Sequence, residues 1–328
     1  MSDDAQHSST VDAEHFVTLF DLQFLSLGIS LYRSLLKHYP VAELWVVCLD
    51  EKVEFALRKL RLPKLHLIPL KTIESAELLE VKPTRSRAEY CWTLTPFTVE
   101  AVFSRNDFVR RVTYLDADLY FLDSPASFFV ELETHKKQIL ISEHAYAPEY
   151  DQTETSGRFC VQFLTFSRDP AALEVAHWWQ ARCLECCSEV PVDGKFGDQK
   201  YLDDWPTLFG DVVHVAQKTE KTIAPWNVGH QLEKRNGPLD PVFYHFHGLR
   251  LYQGGYCRLY SGYQIPNEAL YLYDIYLASL TESFQLLSGQ GIQVSYPKRN
   301  RSPKELARLF KRKWYKTEAW RHLETASF

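Results

Sequence analysis

The sequence predicts an α/β fold, a mostly parallel sheet flanked by helices, and three observations carry that reading. Short apolar runs alternate with stretches of helical period through the first seventy residues, the βαβ pattern of a parallel sheet with right-handed crossovers. The 328 residues are enough for one large domain with a full core. An apolar run at 112–122 is interrupted by two carboxylates, Asp116 and Asp118, where a buried strand would end.

In chain order, residues 16–20 read as the first strand, 22–38 as a helix and 43–49 as the second strand. A helix at 51–60 and a strand at 65–69 complete a βαβαβ unit. Residues 85–104 read as a long helix interrupted near Pro96, leading into a strand at 109–115. Further strands are expected at 138–142, 159–166 and 243–246, and helices at 170–187 and 198–203. Gly, Pro and Asn cluster at 224–241, which predicts a loop or lid. No internal repeat or low-complexity tract is evident. The expected organisation is a flexible polar stretch at 1–14, one domain at 15–280, and a basic helical segment at 281–328.

Composition narrows the function classes. The net charge of −5 gives no reason to expect nucleic acid, and the 14% aromatic content, with 8 Trp and 18 Tyr, suits both a core and a sugar-binding surface. Seven Cys form an irregular set. Cys183, Cys186 and Cys187 make a C-x-x-C-C within a helical pattern, with no second pair downstream, so reduced thiols are expected in preference to zinc. A reducing, cytoplasmic compartment follows. No apolar run approaches the ~18 residues of a membrane span, and the first 14 residues are polar and acidic, unlike a signal peptide.

Charge is uneven along the chain. Residues 298–328 hold ten Lys/Arg against three Asp/Glu, a surplus of +7 that leaves −12 elsewhere. Ser302, Pro303 and Glu305 spell a capping box, and Leu306, Leu309, Phe310 and Trp314 follow at spacings of three and four among basic residues. A basic amphipathic helix of this kind suits an anionic membrane surface.

The chemistry begins at Asp116 and Asp118. Two like charges one residue apart at the end of an apolar strand need compensation, and a divalent cation shared with a diphosphate supplies it. Ligands of open α/β sheets collect outside the carboxyl ends of strands. Thr18 and Asp21, Glu143 and His144, and His245 and His247 all fall at such ends. Two carboxylates with the imidazole of His245 make a hard donor set with open positions, suited to Mn²⁺ or Mg²⁺. Whether His247 also belongs to it stays open.

Taken together, five segments resemble the family 8 glycosyltransferases, the group that includes glycogenin and bacterial lipopolysaccharide galactosyltransferases. They are Val17-Thr-Leu-Phe-Asp21 with Ser30-Leu-Tyr-Arg-Ser34, Cys91-Trp-Thr-Leu-Thr95, Tyr114-Leu-Asp-Ala-Asp118, Gly197-Asp-Gln199 and His245-Phe-His-Gly248, spanning 16–250. The resemblance implies a GT-A fold, a Rossmann-like nucleotide-diphospho-sugar transferase. It implies a UDP-sugar donor, Mn²⁺ or Mg²⁺, and transfer with retention; the basic tail, and not the resemblance, is the ground for expecting a carbohydrate or lipid-linked acceptor. By position it makes Asp116, Asp118 and His245 metal ligands. It places Thr18, Phe20, Asp21, Arg85, Arg87, Ala117, Gly248 and Arg250 beside the nucleotide-sugar, and Asp198 and Gln199 beside the reacting sugar.

The chain also departs from the family pattern. Cys160 and Gln162 stand where Asn-x-Gly is usual, and Leu251 where a pyrophosphate-binding Lys is expected, with Arg250 adjacent. Ala88 replaces a further Lys, with Arg85 and Arg87 nearby. A divergent subfamily is expected. The alternatives are a protein-acceptor glycosyltransferase, a non-catalytic scaffold on the same fold, and an aspartyl-phosphate phosphohydrolase. The last wants its Asp-x-Asp on the first strand.

Overall fold

Strand β1 (Glu14–Phe20) lies parallel to β2 (Ala42–Cys48), and β2 to β3 (Leu65–Pro69). The helices Leu25–His38 and Glu51–Leu60 return the chain between them. Structure is described here, from a computed structural model, for residues 13–235, 237–299 and 316–323. Side chains on β1 and β2 alternate between two cores: Phe16, Phe20, Leu44, Val46 and Cys48 enter one, and Val17, Leu19, Trp45 and Val47 the other. Burial on both faces is why these strands read as continuous apolar runs.

The chain then crosses to β4 (Arg111–Leu115), short β5 (Leu119–Phe121), β6 (Ile139–Glu143), β7 (Phe159–Ser167) and β8 (Val213–Val215). The seven-stranded sheet has the order β3-β2-β1-β4-β7-β6-β8. Only β7 runs against its neighbours, so the sheet is mostly parallel as expected. The strand order turns around between β1 and β4. Their carboxyl ends form the switch point where open α/β sheets bind ligands. A second sheet joins β5, β9 (Thr222–Ile223) and β10 (Phe243–His245) in the order β5-β10-β9. A third joins β11 (Arg250–Tyr252), β12 (Tyr256–Ser261) and β13 (Glu318–His322).

Helix entry at the switch point is built from two aspartates. The Asp21 carboxylate accepts from the amides of Gln23 (2.8 Å) and Phe24 (3.1 Å), opening a 3-10 turn before Leu25–His38. Asp50 accepts from Val53 (2.8 Å) and also from Leu22 (3.2 Å). Both satisfy helix-terminal donors that have no intrahelical partner. Gly28 is required for the approach of this helix to β1, because a Cβ there would lie 2.4 Å from the Phe20 ring.

Four expectations need correcting. The stretch 224–241 is not a lid: Val228–Lys234 is helical, and Trp226 and Asn227 are buried. The Asn227 side chain accepts from Ala224 and donates to His144 and Thr222, so the turn-rich composition served a packed wall. Residues 198–203 are not a helix from Asp198; a 3-10 turn begins at Lys200, and Asp198 does not cap it. The long helix Leu270–Gly289 went unread because apolar and aromatic residues surround it on several sides. It packs on Leu25–His38, with Ser30 and Ser283 hydroxyls 3.1 Å apart. It also runs through the expected boundary at 280, and Glu318–His322 is a strand paired with β12. The basic amphipathic helix expected from 302 lies outside the described residues. Among the described residues, no helix is long and apolar enough to cross a membrane.

Candidate functional site

Asp116 closes β4, and a turn in which the Leu119 amide donates to the Asp116 carbonyl (3.2 Å) carries the chain into β5. Asp116 and Asp118 therefore flank one tight turn at the switch point, with Ala117 buried between them. Strand β10 pairs antiparallel with β5 so that His245 lies opposite Leu119, and the Phe246 amide donates to the Asp118 carbonyl (2.9 Å). That register is what closes a gap of more than a hundred residues in sequence. The His245 Nε2 stands 3.0 Å from Asp118 Oδ1 and 3.8 Å from Asp116 Oδ2. One ligand atom from each of the three lies within 4.8 Å of the others.

The electrostatics follow from burying three ionisable groups together. Burial opposes a charge on His245, but Asp118 beside it overrides that and raises the imidazole well above its ordinary pKa. Burial alone would raise Asp118, yet His245 holds it well below the usual carboxylate range. Burial pushes Asp116 up to about 6, with His245 opposing and the charge of Asp118 adding. Two carboxylates and one imidazole suit an octahedral, oxygen-preferring cation that keeps open positions for other oxygens. Asp116, the most exposed of the three at 23%, is the open side.

The surroundings of the imidazole fit such a group. His245 Nδ1 lies 2.8 Å from Gln162 Oε1, which leaves Nε2 toward the carboxylates. The Tyr114 hydroxyl donates to Asp116 Oδ1 (3.1 Å). Three buried polar atoms here lack a protein partner: Thr18 Oγ1, Gln162 Nε2 and Asp198 Oδ2.

The other expected residues divide. Asp21, buried, is paired with Arg87, whose guanidinium also lies 3.6 Å from Asp50 Oδ2 and is 61% exposed. Thr18 is fully buried on β1, and Phe20 packs against the helix that follows. Gly248 takes φ +81°, making the turn after His247 that leads to Arg250. Arg250 is exposed, with its guanidinium 5.7 Å from the Phe24 ring centre, and its charge helps hold Asp118 down. Gln199 Nε2 donates to the Ser156 carbonyl (2.8 Å), which fixes the direction of its Oε1. Asp198 is buried, and burial followed by the charge of Asp116 pushes its carboxyl up to about 7.

Arg85 is the one that does not fit. Its guanidinium donates to the carbonyls of Leu184 (2.6 Å) and Cys187 (3.2 Å) and to Thr93 Oγ1 (3.0 Å). It closes the carboxyl end of the helix Pro170–Glu185, where carbonyls are orphaned and a cation is favoured, so it is not available to phosphate. Glu143 is paired with Arg158. His144 and His247 stay outside the three-residue group and pack against Trp226, at ring distances of 5.2 and 5.5 Å.

Trp226 escaped sequence reasoning. Its ring lies edge-on to His245 (5.3 Å), with Tyr146 and Tyr263 completing an aromatic wall beside the imidazole. Its Nε1 donates to the His144 carbonyl (2.7 Å). The Pro-Trp-Asn run at 225–227 carried no periodic signal that could have found it.

No family model matches the chain. Two Bacillus subtilis (strain 168) proteins are similar in sequence. The uncharacterized protein YfnF is 33% identical over 251 residues, spanning 72% of this chain and 82% of its own length. The uncharacterized protein YfnD is 30% identical over 269 residues, spanning 78% and 84%. Among solved structures, the apo form of the glycosyltransferase GlyE from Streptococcus pneumoniae TIGR4 aligns with a TM-score of 0.51 at 15% identity. That alignment covers 88% of this chain and 66% of GlyE. The galactosyltransferase LgtC, in complex with donor and acceptor sugar analogs, aligns at a TM-score of 0.47 and 15% identity, over 71% and 87%. The fold is GT-A, that of nucleotide-sugar glycosyltransferases.

Proposed function

The chain belongs to the family of the Bacillus subtilis proteins YfnF and YfnD, and from that premise we propose that it is a metal-dependent glycosyltransferase of the family 8 type. In this reading it moves a sugar from a UDP-sugar to a carbohydrate or lipid-linked acceptor, with retention of anomeric configuration. It acts in the cytoplasm, held to the inner membrane face through its basic tail. The observation that carries the proposal is the convergence of Asp116, Asp118 and His245 at the switch point of a GT-A sheet.

Asp116, Asp118 and His245 would hold Mn²⁺ or Mg²⁺. When bound, the ion supplies neutralisation of charge developing on the departing diphosphate, worth several kcal/mol at the transition state. The protein's own residues do the rest. Asp21 orients the nucleotide by accepting from a base or ribose donor, and Thr18, with its unpartnered hydroxyl, lies on the same strand. Arg250 meets phosphate oxygens with a two-pronged guanidinium. Gln199, its amide nitrogen tied to Ser156, presents a carbonyl dipole to a sugar that gains positive charge as the bond breaks. Asp198, the buried residue next to Gln199 in the chain, keeps that segment in place. Trp226 and its aromatic neighbours keep water from one side of the imidazole.

Titration calorimetry with UDP, with and without Mn²⁺, followed by a hydrolysis screen of UDP-sugars, tests the proposal. Metal-dependent UDP binding with slow hydrolysis of one sugar nucleotide supports it. Binding of neither UDP nor Mn²⁺ sinks it in favour of a scaffold on the same fold.

A further inference from the structure

Gln162 sits in a position that the glycosyltransferase reading does not explain. It lies on β7, is fully buried, and is touched by two separate parts of the site. Because β7 pairs antiparallel with β4 and Leu115 faces Phe163, the next residue pair is Asp116 and Gln162. The Asp116 amide accordingly donates to the Gln162 carbonyl (3.1 Å). Its side chain crosses to the other sheet, where Oε1 lies 2.8 Å from His245 Nδ1. One residue thus holds Asp116 by main chain and His245 by side chain.

We propose that Gln162 is the positioning residue of the cation site, fixing His245 in the tautomer and ring orientation that aims Nε2 at Asp118 and Asp116. The inference rests on the metal-binding reading of those three residues. The physical argument is one of tautomer. A neutral imidazole carries one proton, and an amide oxygen facing Nδ1 accepts it there, leaving the Nε2 lone pair for a cation. Cys160 also touches the imidazole, but a thiol is a weak acceptor and cannot set the tautomer in place of the amide. The Trp226 ring lies edge-on at 5.3 Å, so in metal-free protein the ring is held by Asp118 at Nε2 and by Gln162 at Nδ1, and Gln162 is the partner that remains when a cation takes Nε2. The unpartnered Gln162 Nε2 fits the same account: the amide is oriented by what its oxygen must accept, at the expense of its own buried donor.

The test uses the full-length protein and two variants, Gln162→Leu, which keeps the shape without the acceptor, and Gln162→Glu, which keeps an acceptor. Mn²⁺ alone is titrated while its free electron-paramagnetic-resonance signal is followed. Loss of this kind of outer partner weakens metal affinity about 10- to 100-fold. Gln162→Leu is expected to show that loss with a melting temperature near wild type, and Gln162→Glu to bind Mn²⁺ at least as tightly as wild type. In metal-free protein, where Asp118 also holds an Nε2–H, the readout is the solvent-protected Nδ1–H resonance of 15N-labelled histidine, told from Nε2–H by its ring couplings and absent in His245→Ala; it should be present in wild type and Gln162→Glu and missing in Gln162→Leu. Wild-type Mn²⁺ affinity and a retained resonance in Gln162→Leu would overturn the role. Failure of wild type itself to bind Mn²⁺ would overturn the metal reading instead, and the Nδ1–H resonance would still report on whether Gln162 orients the imidazole.

Discussion

His245 lies directly opposite Leu119 in the pairing of β10 with β5, one residue past Asp118. This register makes the site a property of two short strands and not of flexible loops. Asp118→Ala leaves those backbone pairings in place. It should abolish turnover and metal-dependent UDP binding while the protein stays folded. Calorimetry beside a thermal melt checks this. A variant that still turns over would remove Asp118 from the site.

Arg85 and Arg250 separate structural from nucleotide-binding arginines. Arg85 closes a helix end through two carbonyls, so Arg85→Ala should lose about 2 kcal/mol or more of stability by leaving charge-assisted hydrogen bonds unmade. Its UDP affinity per folded molecule should not change. Arg250→Ala should do the opposite, weakening UDP binding about tenfold or more by losing a charge-assisted contact while leaving the melting temperature alone. Denaturant melts and UDP titrations on both variants distinguish the roles.

The difference between those arginines marks where sequence reasoning reaches its limit. Strand ends were legible because Asp-x-Asp interrupts an apolar run and because βαβ alternation dictates which ends converge. That reading brought Asp116, Asp118 and His245 together. Arg85 reads as a phosphate ligand from its nearness in sequence to Ala88, where the family pattern has Lys, whereas its role depends on a helix end about a hundred residues away. Trp226 and Gln162 depend on contacts across different sheets, which no local period encodes. The helix Leu270–Gly289 was lost for a related reason: packed against another helix as well as the small sheets, it shows no single apolar stripe.

Gln199 is placed to act on charge that exists only during reaction. Its amide nitrogen is held by Ser156, so its carbonyl is pre-oriented. Gln199→Ala should therefore lower turnover about a hundredfold or more, as loss of a preorganised dipole does. UDP affinity should change less than about threefold, since an interaction made only in the transition state leaves ground-state binding untouched. Equal losses in both quantities would assign Gln199 to substrate binding.

The basic tail is tested by charge and not by deletion, because Glu318–His322 pairs with β12 and its removal would open the third sheet. Replacing Lys311, Arg312 and Lys313 by Glu reverses the sign of that stretch. Near an anionic surface each basic residue contributes about 1 kcal/mol. Binding to phosphatidylserine vesicles at moderate salt should fall by well over tenfold, with UDP hydrolysis in solution unchanged. Unaltered vesicle binding would remove the membrane from the proposal.

Asp198 yields a prediction about stability and pH. Burial, and then the charge of Asp116, raise its carboxyl from 3.8 to about 7, and its Oδ2 has no partner. A raised carboxyl favours the folded state while protonated, so that contribution is complete below about pH 4 and is lost as pH rises through 7. At 1.36 kcal/mol per unit, the difference amounts to about 4 kcal/mol at most. Asp198→Asn carries no such charge. Its melting temperature relative to wild type should rise from pH 4 to about pH 7 and level off above that in metal-free buffer. The same variant should lose turnover if Asp198 holds the segment carrying Gln199. A melting-temperature difference that stays flat across this range would mean that Asp198 ionises normally in the folded protein.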